Sequence, residues 1–244
     1  MAASDPRLWL VEVGHTRLKR AQLAADGTLA MAVAESLPAF DGWAEAHAGA
    51  RVVLTDVRDE ASSRELVSIL RRRGVRWNRV ALGDVDLPVA PAYGSLGTDR
   101  WLAVNAAWQM HERALVVVDI GTATTLDVVD QAGVHRGGWI LPGPDAARAG
   151  LLARAPGLER AREQADLPLS PATDTAQALE RGLVLQQVGA IRLGVERAGI
   201  ALGCSPLFVL TGGGASTVQS ALNPDDRQPD LVLLGLALAA SRMT

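Results

Sequence analysis

The chain has 244 residues, of which 48% are hydrophobic and 21% are charged, and its formal net charge is -3. This composition predicts a globular protein with a sizeable core, while the lack of a basic excess argues against a nucleic-acid or anionic-membrane partner. The single cysteine, Cys204, excludes an intrachain disulfide. No apolar run is long enough to span a bilayer, and residues 1–6 lack the apolar region of a secretory signal peptide. We therefore expect a cytoplasmic enzyme.

The first predicted element is a hairpin near the N-terminus. An apolar run leads to Glu12, Gly14 and Thr16, and a turn signal follows at residues 25–27. A continuous apolar run is typical of a buried strand, and the glycine and the later turn predict strand–turn–strand structure. Lys19 in this hairpin is the only lysine among 24 basic residues. Because ammonium and guanidinium groups are not interchangeable at a phosphate, Lys19 is a candidate phosphate ligand, with chance as the alternative.

Strands and helices alternate after this hairpin, and one helix start carries candidate chemistry. Asp99 and Arg100 open this helix after Thr98, which can cap it. Asp99 can act as a general base, and Arg100 can bind a carboxylate with two hydrogen bonds. The alternative is a carboxylate that stabilises the helix start beside a solvated arginine, and these residues alone favour that alternative. The predicted strands are at residues 52–55 and 80–82, and the predicted helices are at residues 62–73 and 99–111.

A second hairpin of the same kind begins at residue 114. Its apolar run leads to Asp119, Gly121 and Thr122, and a turn signal follows at residues 131–133. The repeat of acid, glycine and threonine predicts two related α/β lobes, residues 1–113 and 114–244, with a cleft between them. The later predicted elements are a helix through residues 151 and 152, a loop at 168–171, a helix at 174–198 capped by Asp174 or Thr173, a strand at 207–210, and an apolar run at 231–234 before a terminal helix.

Both hairpins are candidate phosphate-binding sites. A glycine lets the backbone approach a ligand, threonine hydroxyls and N–H groups hold phosphate oxygens, and the acid holds a cation or its water. The consecutive glycines Gly212, Gly213 and Gly214 suit a base or ribose packed flat against the backbone. The alternative for each motif is an ordinary turn. The chain has neither a Walker A motif nor a dinucleotide-binding glycine motif.

Other chemistries have little support in the sequence. The four histidines are scattered without the spacing of zinc ligands. Cys204 lies just before Pro206 and is typical of a small packing residue. No Gly-x-Ser-x-Gly motif of a nucleophilic serine is present.

Taken in order, the motifs resemble those of the type III pantothenate kinases, in the acetate kinase/sugar kinase/Hsp70/actin superfamily. The resemblance covers residues 9–237 and implies α/β structure with two duplicated ribonuclease H-like lobes of the actin-like ATPase type. It implies a homodimeric cytoplasmic kinase that phosphorylates pantothenate with ATP in the first step of coenzyme A biosynthesis, using Mg2+ and K+ or NH4+. The most specific stretches are Leu-Gly-Thr-Asp-Arg-Trp at 96–101, Val-Asp-Ile-Gly-Thr-Ala-Thr-Thr-Leu-Asp at 118–127, Gly-Gly-Trp-Ile-Leu-Pro-Gly at 137–143 and Gly-Gly-Gly-Ala at 212–215.

The resemblance also implies residue roles. Asp99 accepts the substrate proton, Arg100 binds the substrate carboxylate, and Asp119 holds the monovalent cation. The other implied pantothenate contacts are Gly97, Thr98, Thr175 and Tyr93. The implied ATP contacts are Glu12, Gly14, His15, Thr16, Arg17, Lys19, Gly121, Thr122, Gly212, Gly213 and Gly214.

Three positions depart from the family pattern. Glu12 replaces a shorter aspartate, and His15 replaces an asparagine with a ring that titrates near neutrality. Ala90 stands where the family carries a tyrosine, so Tyr93 either replaces that tyrosine through a shorter loop or the contact is lost. Two alternatives therefore stay open: a nucleotide-binding regulatory or weakly active relative, and a superfamily kinase for another small alcohol.

Overall fold

Two five-stranded sheets organise the chain. The structure is a computed structural model that describes residues 8–58, 60–158 and 169–243, apart from the side chains at positions 62 and 219. In chain order the elements are β1 (Leu8–Val13), β2 (Leu18–Leu23), β3 (Leu29–Glu35), α1 (Leu37–Ala46), β4 (Arg51–Asp56), α2 (Glu60–Arg72), β5 (Arg76–Arg79), α3 (Thr98–His111), β6 (Leu115–Ile120), β7 (Ala123–Val129), β8 (His135–Pro142), α4 (Pro144–Arg154), α5 (Thr175–Leu202), β9 (Leu207–Thr211), α6 (Gln219–Leu222), β10 (Asp226–Arg227) and α7 (Leu231–Ala240).

The chain divides into two units by its internal contacts. The first unit contains residues 1–110 and 230–244, and the second contains residues 111–229. The terminal helix α7 therefore groups with the first unit, whereas the sequence division placed it in the second lobe. It does so because α7 packs against β1, β2 and β4.

The two sheets repeat one topology, which confirms the predicted duplicated α/β fold class. The first sheet has the order β3-β2-β1-β4-β5, and the second has the order β10-β9-β6-β7-β8. In each sheet three consecutive strands form an antiparallel meander, and the first of them pairs in parallel with a later strand. The carboxyl ends of parallel strands meet at one edge, so each meander turn lies beside the end of a neighbouring parallel strand.

Apolar side chains of the central strands build a core in each unit. In the first unit, Trp9 and Leu54 pack against Phe40 of α1 and Leu70 of α2. In the second unit, strands β6, β7 and β9 pack against buried residues of the long helix α5, including Ile191. No described helix has both the length and the apolar character that a membrane crossing requires.

A largely buried arginine packs on the aromatic side of the first core. The Arg20 guanidinium carbon lies 5.4 Å from the Trp9 ring centroid and 5.1 Å from that of Trp43. Arg20 Nε also donates to Glu35 Oε1 at 2.5 Å, and both side chains are about nine-tenths buried. The arginine therefore combines two cation–π contacts with an ion pair that water barely reaches.

We expect Arg20→Ala to destabilise the first unit by about 2 kcal/mol, because it removes the cation–π contacts and leaves Glu35 buried without its cation. Urea unfolding followed by circular dichroism measures the change. Arg64→Ala is the matched control, since its partner Glu60 is exposed and such pairs contribute at most about 1 kcal/mol. Equal stability changes for the two variants would contradict this role of Arg20.

The predicted helices agree with the structure better than the predicted short strands do. The helices predicted at residues 62–73, 99–111 and 174–198 correspond to α2, α3 and α5. The strand predicted at residues 80–82 is wrong. The actual strand is β5, Arg76–Arg79, which lies at the sheet edge and has Trp77 as its one apolar residue, so its apolar pattern is weak. The apolar run at 231–234 is the first turn of α7, and the predicted loop at 168–171 begins at Pro168, outside the described residues.

Candidate active site

The first hairpin turn lies between β1 and β2. The N–H of Gly14 donates to the carbonyl of Arg17 at 3.0 Å and closes the turn. His15, Thr16 and Arg17 are exposed on this turn, whereas the preceding strand β1 is largely buried. The fold therefore presents short backbone and polar groups to solvent at the position where the sequence predicted phosphate contacts.

Glu12 and Lys19 face each other across the base of this hairpin. They are register partners in the antiparallel pair β1–β2, and both are half-buried. The Lys19 ammonium also pairs with Asp230 Oδ1 at 3.0 Å, just before α7. Asp230 holds the only lysine of the chain at the base of the hairpin.

The predicted base and carboxylate-binding arginine lie at the start of α3. Asp99 Oδ1 accepts a hydrogen bond from the backbone N–H of Arg100 at 2.8 Å. A Cβ atom at Gly97 would lie 2.5 Å from the same oxygen, so any side chain there would displace the carboxylate. The Arg100 side chain is mostly buried, and its Nη1 donates to the Tyr93 hydroxyl at 3.2 Å. The fold therefore brings Tyr93, Gly97, Asp99 and Arg100 together.

A buried asparagine that the sequence analysis missed holds the segment before this cluster. Asn105 is fully buried on α3, accepts from the N–H of Val89 at 2.8 Å and donates to the Val89 carbonyl at 3.0 Å. The Trp101 indole N–H donates to the same carbonyl at 2.8 Å. These bonds fix the chain shortly before Tyr93. The sequence indicates this role of Asn105 only by a polar residue within an apolar helical pattern, and that pattern does not predict which residue Asn105 bonds.

In the second unit, two segments converge on the second hairpin turn. The N–H of Gly143, which precedes α4, donates to the Thr122 carbonyl at 3.1 Å, and the N–H of Gly214 donates to the Ile120 carbonyl at 2.8 Å. Gly212 has a φ of +94°, and a Cβ atom there would collide with Asp119 Oδ1. The structure thus places Asp119, Gly121, Thr122 and the glycine triplet in one cluster. It adds Gly143, where a Cβ atom would collide with the Gly121 carbonyl.

Thr175 lies at the start of α5. Asp174 caps the helix, because its Oδ1 accepts from the N–H of Gln177 at 2.8 Å. Thr175 itself is exposed. Its hydroxyl is therefore available to solvent at the N-terminal end of the helix.

Asp56 and Arg58 form an ion pair beside the first hairpin that the sequence analysis also missed. Arg58 Nε donates to Asp56 Oδ1 at 3.0 Å, and Arg58 Nη2 donates to Asp56 Oδ2 at 2.9 Å. Burial raises the pKa of Asp56, but the hydrogen bonds and charge of Arg58 outweigh it and hold this pKa below its ordinary value. The pair therefore adds stability at neutral pH, which is lost as the pH falls through the lowered pKa. Its only sequence signal is Asp-x-Arg after a buried strand.

The described residues offer no ready-made set of side chains for a metal ion. Within residues 8–58, 60–158 and 169–243, no three or more histidine, cysteine, aspartate or glutamate side chains are grouped to hold a metal. A groove of about 680 Å³ in the first unit is lined by residues of α2 and by Arg79, and no predicted site residue lines it. Any cation at the predicted sites must therefore take much of its coordination from backbone carbonyls, water or a ligand.

The chain matches a known protein family along most of its length. The model of the type III pantothenate kinase family matches residues 10–197. A type III pantothenate kinase of Azotobacter vinelandii is 34% identical over 215 residues, which cover 85% of this chain and 86% of that protein. A type III pantothenate kinase of Pseudomonas aeruginosa is 40% identical over 150 residues, which cover 60% of each chain.

Solved structures share the fold. A Campylobacter jejuni protein assigned to the Baf family of transcriptional activators has a TM-score of 0.64 at 19% identity, covering 96% of this chain and 97% of that chain. The ethanolamine utilization protein EutJ of Carboxydothermus hydrogenoformans has a TM-score of 0.55 at 12% identity, covering 95% and 89%. At these identities the likeness concerns the fold alone.

Proposed function

The chain belongs to the type III pantothenate kinase family, and we propose that it transfers the γ-phosphoryl group of ATP to the primary hydroxyl of pantothenate. The product is 4'-phosphopantothenate, which enters coenzyme A biosynthesis. The observation that carries this proposal is the cluster at the start of α3, where a carboxylate, the guanidinium of a buried arginine and a tyrosine hydroxyl lie together. Such a cluster suits a substrate that has both a hydroxyl and a carboxylate. Because ATP is the donor, we infer a cytoplasmic reaction.

In this proposal Arg100 binds the pantothenate carboxylate. Arg100 is mostly buried as a residue, so a carboxylate that reaches its guanidinium forms charge-assisted hydrogen bonds with little competition from water. Tyr93 accepts from Arg100 and holds it in place, which supports Tyr93 as the replacement for the tyrosine missing at Ala90. Gly97, Thr98 and Thr175 supply the remaining proposed substrate contacts.

Asp99 accepts the proton of the attacking hydroxyl in the proposed reaction. Phosphoryl transfer proceeds through a loose transition state, so catalysis depends on positioning and on charge stabilisation. The backbone N–H of Arg100 fixes one oxygen of the Asp99 carboxylate. The base is therefore oriented before substrate binds, and proton transfer accompanies bond formation to the γ-phosphorus.

The two hairpins supply the proposed ATP contacts. His15, Thr16 and Arg17 bring backbone N–H groups, a hydroxyl and a guanidinium to an exposed turn that begins at Gly14, and Glu12 and Lys19 lie at its base. In the second unit Gly121 and Thr122 contact phosphate, and Gly212, Gly213 and Gly214 lie against the adenosine. Mg2+ bound to ATP would neutralise the phosphate charge, and Glu12 is the acid of the first hairpin that can hold its water.

The surroundings of Asp119 fit the proposed monovalent cation. Asp119 Oδ1 and the Ile120 carbonyl both lie close to Gly212, which gives one carboxylate oxygen and one neutral oxygen in the same place. A single negative charge with carbonyl oxygens suits K+ or NH4+, whereas Mg2+ retains water and prefers phosphate oxygens. When bound, the cation would add positive charge beside the ATP phosphates.

The test is phosphate transfer from labelled ATP to pantothenate with Mg2+, with and without K+ or NH4+. Labelled 4'-phosphopantothenate that depends on the monovalent cation is the expected result. ATP binding without product would favour the regulatory or weakly active relative, and a gain of turnover in Glu12→Asp/His15→Asn would identify the altered first hairpin as the cause. Preference for a carboxylate-free alcohol would favour a different kinase.

We also propose that the protein is a homodimer that forms through α5. Leu185, Leu193 and Ile200 are 54%, 51% and 65% exposed, and they lie about two turns apart along one face of this helix. A row of exposed apolar side chains on a long helix is costly in water and is typical of an interface. A second copy of this chain covers the row in the proposed dimer.

Leu193→Asp is expected to convert the dimer into a monomer, because it introduces a buried charge without a partner at the interface. Light scattering coupled to size exclusion measures the mass. Val134→Asp is the control, since Val134 is also exposed but lies in the turn between β7 and β8. A dimer that tolerates Leu193→Asp would place the interface elsewhere.

A further inference from the structure

Arg58 follows a strand end that lies beside the first hairpin. Strands β1 and β4 are parallel, and Val13 is the register partner of Asp56. The pairing continues for one step, because the N–H of Val57 donates to the Val13 carbonyl at 3.3 Å. The first hairpin turns at Gly14, directly after Val13. Ligands of α/β sheets bind beyond the carboxyl ends of parallel strands, so Arg58 and the hairpin turn share the edge where a ligand is expected.

Arg58 is fixed by Asp56 before any ligand binds. The guanidinium donates two hydrogen bonds to the Asp56 carboxylate, and the backbone N–H of Arg58 donates a third, to Asp56 Oδ1 at 3.1 Å. The side chains of Arg58 and Asp56 are only 12% and 2% exposed. In the described part of the chain these guanidinium bonds use Nε and Nη2. The two N–H groups of Nη1 are therefore available to an incoming acceptor.

The charge at this edge favours an anion. Arg79, at the end of the next parallel strand, donates from Nη2 to the Asp56 carbonyl at 2.6 Å. Arg17 is exposed on the hairpin turn, whereas Lys19 is already paired with Asp230. The positive charges of Arg17, Arg58 and Arg79 outnumber the negative charges of Glu12 and Asp56. A site for several phosphate groups needs such an excess of fixed cations.

We propose that Arg58 is a further phosphate-binding residue for the nucleoside triphosphate, positioned by Asp56 beside the first hairpin. Its Nη1 donates to a phosphate oxygen and compensates charge there as the phosphoryl group is transferred. Asp56 is the positioning residue, because it orients the guanidinium and touches no ligand. This inference rests on the proposed function for the identity of the nucleotide.

The test compares Arg58→Gln, Arg58→Lys and the matched control Arg76→Gln. Arg76 is also an arginine of the first sheet, but it begins β5 and donates to the Gly49 carbonyl at 3.3 Å, at the opposite edge. Calorimetric titration with the non-hydrolysable analogue AMPPNP is the main readout. Arg58→Gln is expected to weaken binding about tenfold or more, the loss of a charged hydrogen bond, while Arg76→Gln binds as the wild type does.

Arg58→Lys separates a loss of phosphate binding from a folding defect. It keeps a cation beside Asp56 but loses the planar set of guanidinium donors. We expect this variant to melt near the wild-type temperature and to bind AMPPNP with intermediate affinity, with an unchanged KM for pantothenate. AMPPNP affinity equal to wild type in the folded Arg58 variants would overturn the inference, and so would an equal loss for both substrates. Failure of the wild type to phosphorylate pantothenate would refute the proposed function alone, since the AMPPNP titration would still decide the role of Arg58.

Discussion

Replacement of Asp99 by asparagine is expected to lower kcat for pantothenate phosphorylation by about 100- to 10,000-fold, the usual contribution of a general base. The amide has nearly the same shape and can still accept from the backbone N–H of Arg100. It cannot accept the hydroxyl proton at neutral pH. The KM for ATP should change little, because Asp99 is not among the proposed nucleotide contacts.

The measurement is steady-state kinetics with both substrates varied, and a melting curve shows that the variant is folded. Asp26→Asn is the control, since Asp26 is an exposed carboxylate in the turn between β2 and β3 that bonds Thr28. It should keep wild-type turnover. A kcat of Asp99→Asn within a few-fold of wild type would remove Asp99 from the role of base.

Gly212→Ala is expected to abolish nucleotide binding and to destabilise the second unit by about 3 kcal/mol or more. The φ of +94° at this residue disfavours any side chain, and a Cβ atom would collide with Asp119 and with the backbone of Ile120. Relief of that collision must move either the glycine loop or the end of β6. Both belong to the cluster that we propose binds the nucleotide and the monovalent cation.

Gly213→Ala is a closely matched control for this prediction. It changes the adjacent residue in the same way, yet a Cβ atom there meets no other atom within 4 Å. Since Gly213 is itself a proposed adenosine contact, this control concerns folding, and we expect its urea stability to be near that of the wild type. Equal losses of urea stability in the two alanine variants would show that the close approach of Gly212 to Asp119 does not stabilise the second unit.

Local patterns in the sequence were sufficient for much of the fold. The repeat of apolar run, acid, glycine and threonine predicted both hairpins, and the structure extends each into a three-stranded meander. Helical periodicity and caps located α2, α3 and α5. The position of β5 was predicted wrongly because an edge strand exposes many of its side chains and has a weak apolar pattern. Its true position is set by parallel pairing with β4, a long-range contact that no local sequence pattern reports.

The candidate site was only partly predictable for the same reason. Asp99 and Arg100 are neighbours in a motif, so resemblance could name them together. The contact between Arg100 and Tyr93 depends on the path of the chain that leads to Tyr93, which Asn105 fixes at Val89 from within α3. The Asp56–Arg58 pair gains its position from the parallel alignment of β1 and β4. Each of these features is a tertiary contact between residues whose individual types are unremarkable in sequence.

The aromatic cluster around Arg20 gives the protein an internal optical probe. Five of the six tryptophans, among them Trp9 and Trp43, belong to the first unit, and Trp139 belongs to the second. Intrinsic emission therefore reports chiefly on the environment of the first unit, whereas the far-ultraviolet dichroism reports on helices of both. Coincident unfolding curves from the two signals mean that the chain unfolds as one cooperative block, and separated curves resolve the stability of each half without any added label.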